Sequence, residues 1–206
     1  MKKTFAAILS LALILNFSSA QAMAQQVEKD AVRQFVDEVG NKIITIAAEK
    51  NSSKRVRKDK IILVIDNVID SEWIARFVLG KNYKIANEEQ RLRFTKLYRD
   101  FMINTYGPKF ENYNGKKFTV NDVISQNGFY VAKAEFLPKD SNIPILVDFR
   151  VKERNGKLVI LDFIAEGISL IETQRSEFSS AISQSGMDGF LDDLDARVKR
   201  LKSGNS

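Results

Sequence analysis

The sequence predicts an α+β protein with N-terminal helices, a four-stranded antiparallel twisted sheet and C-terminal helices. Three observations carry this. Apolar residues recur at helical intervals from Val27 to Tyr106. Beyond Pro108 the period falls to two, punctuated by Asn114-Gly115, Asn127-Gly128 and Asn155-Gly156. After Ser169 the helical spacing returns.

The first element is a leader. Lys2 and Lys3 precede a short apolar stretch from Phe5 to Leu15 interrupted by Ser10, and Ala20-Gln21-Ala22 overlaps Ala22-Met23-Ala24 as small-x-small cleavage sites. A spanning helix needs roughly 20 apolar residues, more than this run offers. Residues 1–22 therefore read as a signal peptide cleaved after Ala22 or Ala24, and 25–202 as one exported domain with no later membrane span.

From Val27 to about Glu49, Val32, Phe35, Val36, Val39, Ile43, Ile46 and Ala47 form one helical stripe. Asn51 to Lys60 reads as a polar, basic interruption. Ile61, Ile62, Leu63, Val64 and Ile65 are too evenly apolar for a narrow stripe and predict a buried second helix. Ser71 reads as the N-cap of a short helix holding Trp73, Ile74, Phe77 and Val78, ended by Gly80. Asn87 and Gln90 have capping-box spacing for a helix to about Tyr106, which Gly107-Pro108 should stop.

The expected strands are Lys117 to Ile124, Phe129 to Leu137, Pro144 to Glu153 and Lys157 to Ala165. A two-residue turn at Asn155-Gly156 sets a register for the last pair: Val151 opposite Ile160, Phe149 opposite Asp162, Val147 opposite Ile164. One face then carries Ile145, Val147, Phe149, Val151, Leu158, Ile160 and Ile164. Tyr130, Ala132, Ala134 and Phe136 form the apolar parity of the strand before it. Two helices, Ser169 to Ser183 and Met187 to Leu201, flank Gly186.

Composition narrows the chemistry. Cysteine and histidine are both absent, which excludes Cys/His zinc sites, histidine-paired nucleophiles and histidine acid–base catalysis. No disulfide can form, so stability rests on packing. No dinucleotide fingerprint, P-loop or nucleophile elbow occurs. The net charge of +6, two of it in the leader, is too small to announce nucleic acid, and the sheet's aromatics lie on a face too apolar to be left open for base stacking. The run Lys54, Arg55, Arg57, Lys58, Lys60 suits an acidic partner or anionic headgroups, although a solvated face is the commoner meaning. Arg91, Arg93, Lys96 and Arg99 read as snorkelling cations at a core edge.

Two readings of the apolar face stay open: helices cover it and fill the core, or sheet and helices enclose a cavity for an apolar ligand. Asp162 is the odd residue, placed by the register on that face, where it serves as a general base in a pocket enzyme or, more commonly, as a hydrogen-bonded structural carboxylate. An exported basic adaptor with a filled core is the third possibility.

The ordered series Trp73-Ile-Ala-Arg-Phe-Val-Leu-Gly80, Leu97-Tyr-Arg-Asp-Phe101, Asn104-Thr-Tyr106, Val147-Asp-Phe-Arg-Val151, Glu166-Gly-Ile-Ser-Leu170 and Thr173-Gln-Arg-Ser-Glu-Phe178 resembles the periplasmic phospholipid-binding component of the Mla (maintenance of lipid asymmetry) system, the toluene-tolerance Ttg2D family. The resemblance runs from about Val32 to Leu194. It implies a non-enzymatic carrier without a cofactor, whose cargo is phospholipid and whose α/β fold holds acyl tails in an apolar pocket. As partners it implies an outer-membrane lipoprotein and porin complex and an inner-membrane ABC transporter with an MCE-domain subunit. The carrier is expected to act in the periplasm as a monomer, without metal or nucleic acid. The chain departs from the family in carrying Leu158 where tryptophan is common and Leu161 where tyrosine is frequent.

Lipid tails bring on the order of 30 carbons at about 0.8 kcal/mol per methylene, so only a dry apolar pocket competes with a bilayer. The residues expected to wall it are Trp73, Phe77, Leu97, Phe101, Tyr106, Tyr130, Phe136, Val147, Phe149, Val151, Ile160 and Ile164.

Overall fold

The computed structural model describes the backbone of residues 2–111, 115–138 and 141–204, with side chains throughout these except at 2–22, 24, 108–111, 115 and 116. The expected Asn114-Gly115 turn lies outside the described residues. Helix α1 (Lys2–Ala47) leads into α2 (Lys54–Val68), α3 (Ser71–Leu79), the single-turn α4 (Asn82–Ile85) and α5 (Glu88–Glu111). Strands β1 (Gly115–Gln126), β2 (Phe129–Pro138), β3 (Ile145–Arg154), β4 (Lys157–Ala165) and β5 (Ile168–Ser169) pair in sequence order as one antiparallel sheet, and α6 (Leu170–Lys202) closes the chain. No helix among the described residues is long and apolar enough to cross a membrane.

The helix ends follow capping chemistry, with three corrections to the sequence expectation. The basic run is not an interruption but the first turns of α2, capped by Ser53, whose hydroxyl accepts from Val56 N. Arg57 donates to the carbonyls of Glu49 and Ser52, and Lys60 pairs with Glu49 at 2.7 Å, so these cations tie α2 to the end of α1. Only Ile61 and Val64 of the apolar run are buried, a narrow stripe against α1, while Leu63 is exposed. The cap of α3 is Asp70 rather than Ser71, accepting from Trp73 N at 2.9 Å. Helix α5 runs through Gly107 and Pro108 to Glu111, because a proline inside a helix removes one hydrogen bond without forbidding the turns around it. The Asn87–Gln90 capping box forms reciprocally at 2.8 and 3.0 Å. Gly186, with φ 72° and ψ 175°, breaks α6 into the two expected helices.

Asn127-Gly128 and Asn155-Gly156 have positive φ at both central positions, as a two-residue hairpin turn requires. Glu166-Gly167 does the same, with φ 50° and 79°, and yields β5, the strand that the Asn-Gly pattern did not announce. Val151 pairs with Ile160 as expected. One residue on, the register slips: Arg150 faces Asp162, Phe149 faces Phe163, and Val147 faces Ala165. Leu161, fully buried, is the extra residue of a β-bulge. The expected Phe149–Asp162 and Val147–Ile164 pairs are therefore corrected. The reason is energetic: the expected register leaves a carboxylate unpaired on an apolar face, whereas the bulge turns Asp162 toward donors.

Two cores result. Residues of α3, α5 and α6 form a helical cluster around Phe94, Phe178 and Leu191. Val32 and Val36 of α1 pack with Phe118, Val120, Val123, Ala132, Ala134, Val151 and Ile160 on one sheet face. Helix α1 is pinned there by Arg33, which donates to the Val120 carbonyl at 2.6 Å, and by Glu28, which accepts from the Tyr130 hydroxyl and pushes that phenol up to about 12.

Close approach of α1 to β1 depends on Gly40. A Cβ there would lie 2.4 Å from Cδ1 and Cε1 of the buried Phe118 ring. Alanine ordinarily stabilises a helix interior over glycine by about 1 kcal/mol. Here the overlap wins, and Gly40→Ala is expected to destabilise by roughly 1–3 kcal/mol. A thermal melt checks this; an unchanged or raised Tm would mean that the α1–β1 contact is slack.

Candidate functional site

The sheet face that carries α1 is covered unevenly. Register places Phe118, Val120 and Val123 of β1, Tyr130, Ala132, Ala134 and Phe136 of β2, and Ile145, Val147, Phe149 and Val151 of β3 on that face. It continues on β4 as Ile160 and, past the bulge, as Phe163 and Ala165. Helix α1 packs over the β1–β2 half, so the start of β3 and the end of β4 stay open. Ile145 there is 42% exposed and Phe163 39%.

Three rings join the covered half to the open one. Phe118 meets Phe149 edge-on at 5.9 Å, and Phe149 meets Phe163 at 5.6 Å. The small side chains of Ala134, Val147 and Ala165 lie in the next row, and the half-buried Phe136 pairs with both Phe118 and Ile145. Ile143, Leu146 and Ile168, all exposed, extend the apolar surface around this end of the sheet. An exposed apolar end leading by aromatic steps to a buried interior is what an apolar ligand needs; a folded chain gains nothing from it otherwise.

The predicted wall residues divide. Tyr130, Phe136, Val147, Phe149, Val151 and Ile160 share this face. Leu97 and Phe101 are buried in the helical cluster, where Phe101 contacts Phe178 at 6.1 Å. Trp73 and Phe77 stack at 5.2 Å on the cluster's edge, half-buried, with Phe129 against Trp73 at 6.3 Å. Tyr106 is half-buried near the end of α5, where Gln174 hydrogen-bonds its oxygen and burial raises its pKa. The same buried Gln174 accepts from Tyr98 and donates to Met102 Sδ at 3.1 Å. Ile164 does not belong to the face: the bulge pairs it with Asp148 on the opposite side.

Sequence reasoning missed Phe163 and Phe118. Phe118 was legible from the parity of its strand. For Phe163 the signal was Asp162 itself, because a register that buries a bare acid among phenylalanines invites a one-residue slip.

Asp162 is a structural anchor. Its Oδ1 accepts from Phe163 N at 2.8 Å and Ile171 N at 3.3 Å, and its Oδ2 accepts from the Ser169 hydroxyl at 2.6 Å. Ser169 in turn caps α6 by accepting from Glu172 N, and Arg150 lies 3.6 Å from the carboxylate. The group thus joins β4 to the start of α6 on the face away from the phenylalanine row, where no base for a reaction in that row can stand. Burial raises its pKa above 3.8, partly offset by Ser169, Ile171, Arg150 and Phe163.

The sign follows. Between the unfolded value and the higher folded one, the folded state holds the proton better, so this group's contribution is present at low pH and declines as pH rises through the folded pKa. Asp162→Asn should remove that decline and leave a folded chain, since the amide oxygen still accepts from the two N–H groups. Asp162→Ala strands buried donors and should cost about 1–3 kcal/mol. Denaturant melts across pH 3–7 check both; a destabilised Asn variant with no altered pH slope would contradict the assignment.

Comparison with known proteins adds the following. Residues 33–196 match the family model described as MlaC protein. The chain is 23% identical over 127 residues to the intermembrane phospholipid transport system binding protein MlaC of Haemophilus influenzae, covering 60% of this chain and 59% of that protein. It is 20% identical over 167 residues to the toluene tolerance protein ttg2D of Pseudomonas putida, covering 81% and 78%. Its fold matches a phospholipid-binding protein from Ralstonia solanacearum, solved in complex with a phospholipid, with a TM-score of 0.73 at 18% identity, over 82% of this chain and 98% of the other.

Proposed function

The chain belongs to the MlaC protein family, and on that footing we propose that it is a phospholipid carrier. The observation that carries the reading is the phenylalanine row, buried at Phe118, half-buried at Phe149 and open at Phe163, with Ile145 beside its mouth. Acyl tails follow that row inward from the open end of the sheet, and the headgroup stays near solvent. The residues supply apolar wall and no reactive group, so cargo leaves unchanged.

The carrier works in the periplasm after residues 1–22 are removed, as a monomeric domain over residues 25–202. It shuttles lipid between an outer-membrane lipoprotein and porin complex and an inner-membrane ABC transporter bearing an MCE-domain subunit, maintaining outer-membrane lipid asymmetry. The leader's charged and apolar regions support export. The name of the relative from Haemophilus supports the transport system.

Mass spectrometry of an organic extract of the purified chain tests the proposal. Stoichiometric phospholipid is the expected result. An empty extract from protein refolded and then incubated with liposomes would overturn it.

A further inference from the structure

Several cations of this chain are held in ion pairs: Arg93 with Asp192, Arg99 with Asp66, Arg150 with Glu172, Arg154 with Asp70, Lys202 with Asp100. One corner gathers exposed cations beside an apolar groove. Among the described residues, Arg76, Arg175, Lys81 and Lys84 have no carboxylate at ion-pair distance, and all four are exposed. Glu88 and Glu89 stand in the first turn of α5 nearby and form no ion pair with them.

These cations converge on α4. The Arg76 guanidinium lies 5.4 Å over the Tyr83 ring, and Arg91 covers the same ring at 4.6 Å while donating to the Tyr83 carbonyl. Arg175 lies 4.9 Å over Phe77 and within 2.9 Å of where Gly80 would carry a Cβ. Contact with a ring restrains a guanidinium, whose N–H groups form a fork that fits a carboxylate.

Beside the fork is a groove of about 430 Å³ lined by Lys81, Asn82, Ile85, Ile182, Gly186 and Met187. It opens where Gly186 breaks α6, and a side chain at Gly186 would meet nothing within 4 Å. Ile85, 76% exposed on a single-turn helix, has no packing role that explains it.

We propose that this corner docks an acidic segment of a partner protein that carries a large apolar side chain. The apolar side chain enters the groove against Ile85, Ile182 and Met187, and its flanking carboxylates meet Arg76, Arg175 and Lys81. A concave groove suits a projecting side chain, whereas a flat bilayer would be met by a raised apolar ridge. The surface belongs to α3, α4 and α6 and stands whether or not the phenylalanine row carries lipid.

The test is a selection of displayed short random peptides on the purified chain, followed by binding of a synthetic copy of the enriched sequence. The expected sequence has Asp or Glu on both sides of a large apolar residue, and its binding weakens with salt. Arg76→Ser with Arg175→Ser, and separately Ile85→Ser, should each weaken it by about tenfold or more, with Tm and phospholipid content unchanged. Should the arginine pair lower Tm, Lys81→Ser with Lys84→Ser carries the same test, since neither lysine touches a ring. No enrichment, enrichment of peptides without acids, or binding undiminished in the variants would overturn the proposal. So would the reverse pattern, in which vesicles of phosphatidylglycerol and phosphatidylethanolamine bind the chain and lose binding in these variants while no peptide does.

Discussion

Replacing Ile145 and Phe163 together by glutamate is expected to empty the chain of phospholipid and leave it folded. Both side chains are about two-fifths exposed, so new charges there can reach solvent in the lipid-free protein, and the cost to folding, which includes the lost Phe149–Phe163 contact, should stay within about 2 kcal/mol. A bound lipid changes that balance. Its tails would press against two carboxylates that must be desolvated or neutralised, at several kcal/mol in an apolar site. Since each 1.4 kcal/mol is a factor of ten, phospholipid affinity should fall roughly a hundredfold or more. The measurements are a melt of delipidated protein and a lipid count after liposome incubation, because bound ligand would otherwise raise the apparent Tm of the wild type. Leu92→Glu, on the exposed side of α5, serves as control and should retain full lipid. Unchanged lipid in the double variant would place the tails elsewhere.

The opposite result is expected for Phe178→Ala. Phe178 meets Phe190 at 5.1 Å, Phe94 at 6.0 Å, and Tyr98 and Phe101 at 6.1 Å, the densest ring cluster among the described residues. Its truncation opens a cavity in a filled core and should cost about 3–5 kcal/mol, a Tm drop on the order of ten degrees for a domain of this size. The fraction that remains folded should carry phospholipid as the wild type does. If stability barely changes and lipid is lost instead, the helical cluster is the tail chamber, and the expected roles of Leu97 and Phe101 as pocket wall come to the fore. The pair of experiments therefore separates the two apolar regions, which a hydrophobicity pattern alone treats as equivalent.

Local rules made much of the architecture readable. Asn87 and Gln90 close a capping box because both partners sit within one helical turn. Asn155-Gly156 sets the start of the β3–β4 register because asparagine and glycine accept positive φ at two successive positions at little cost. Gly186 separates two helices for the same backbone reason. Where the expectation failed, the deciding partner was remote or unusual: Glu49 and Ser52 complete a helix through Arg57, and Glu166-Gly167 makes a hairpin without asparagine.

The leader's pattern, the helix periods, the alternation of β2 and β3 and the order of the family's motifs are properties of the amino-acid string, since each depends on neighbours a few residues apart. The composition of the ligand face is not. Alternation propagates a register only until an extra residue enters, and the slip at Leu161 is stabilised by groups that parity does not see: Ser169, the Ile171 amide and Arg150 around Asp162. Tertiary structure therefore decided that Phe163, and not an acid, stands beside Phe149. It also decided that α1 covers only half of the face, because coverage depends on where Gly40 lets the helix meet Phe118.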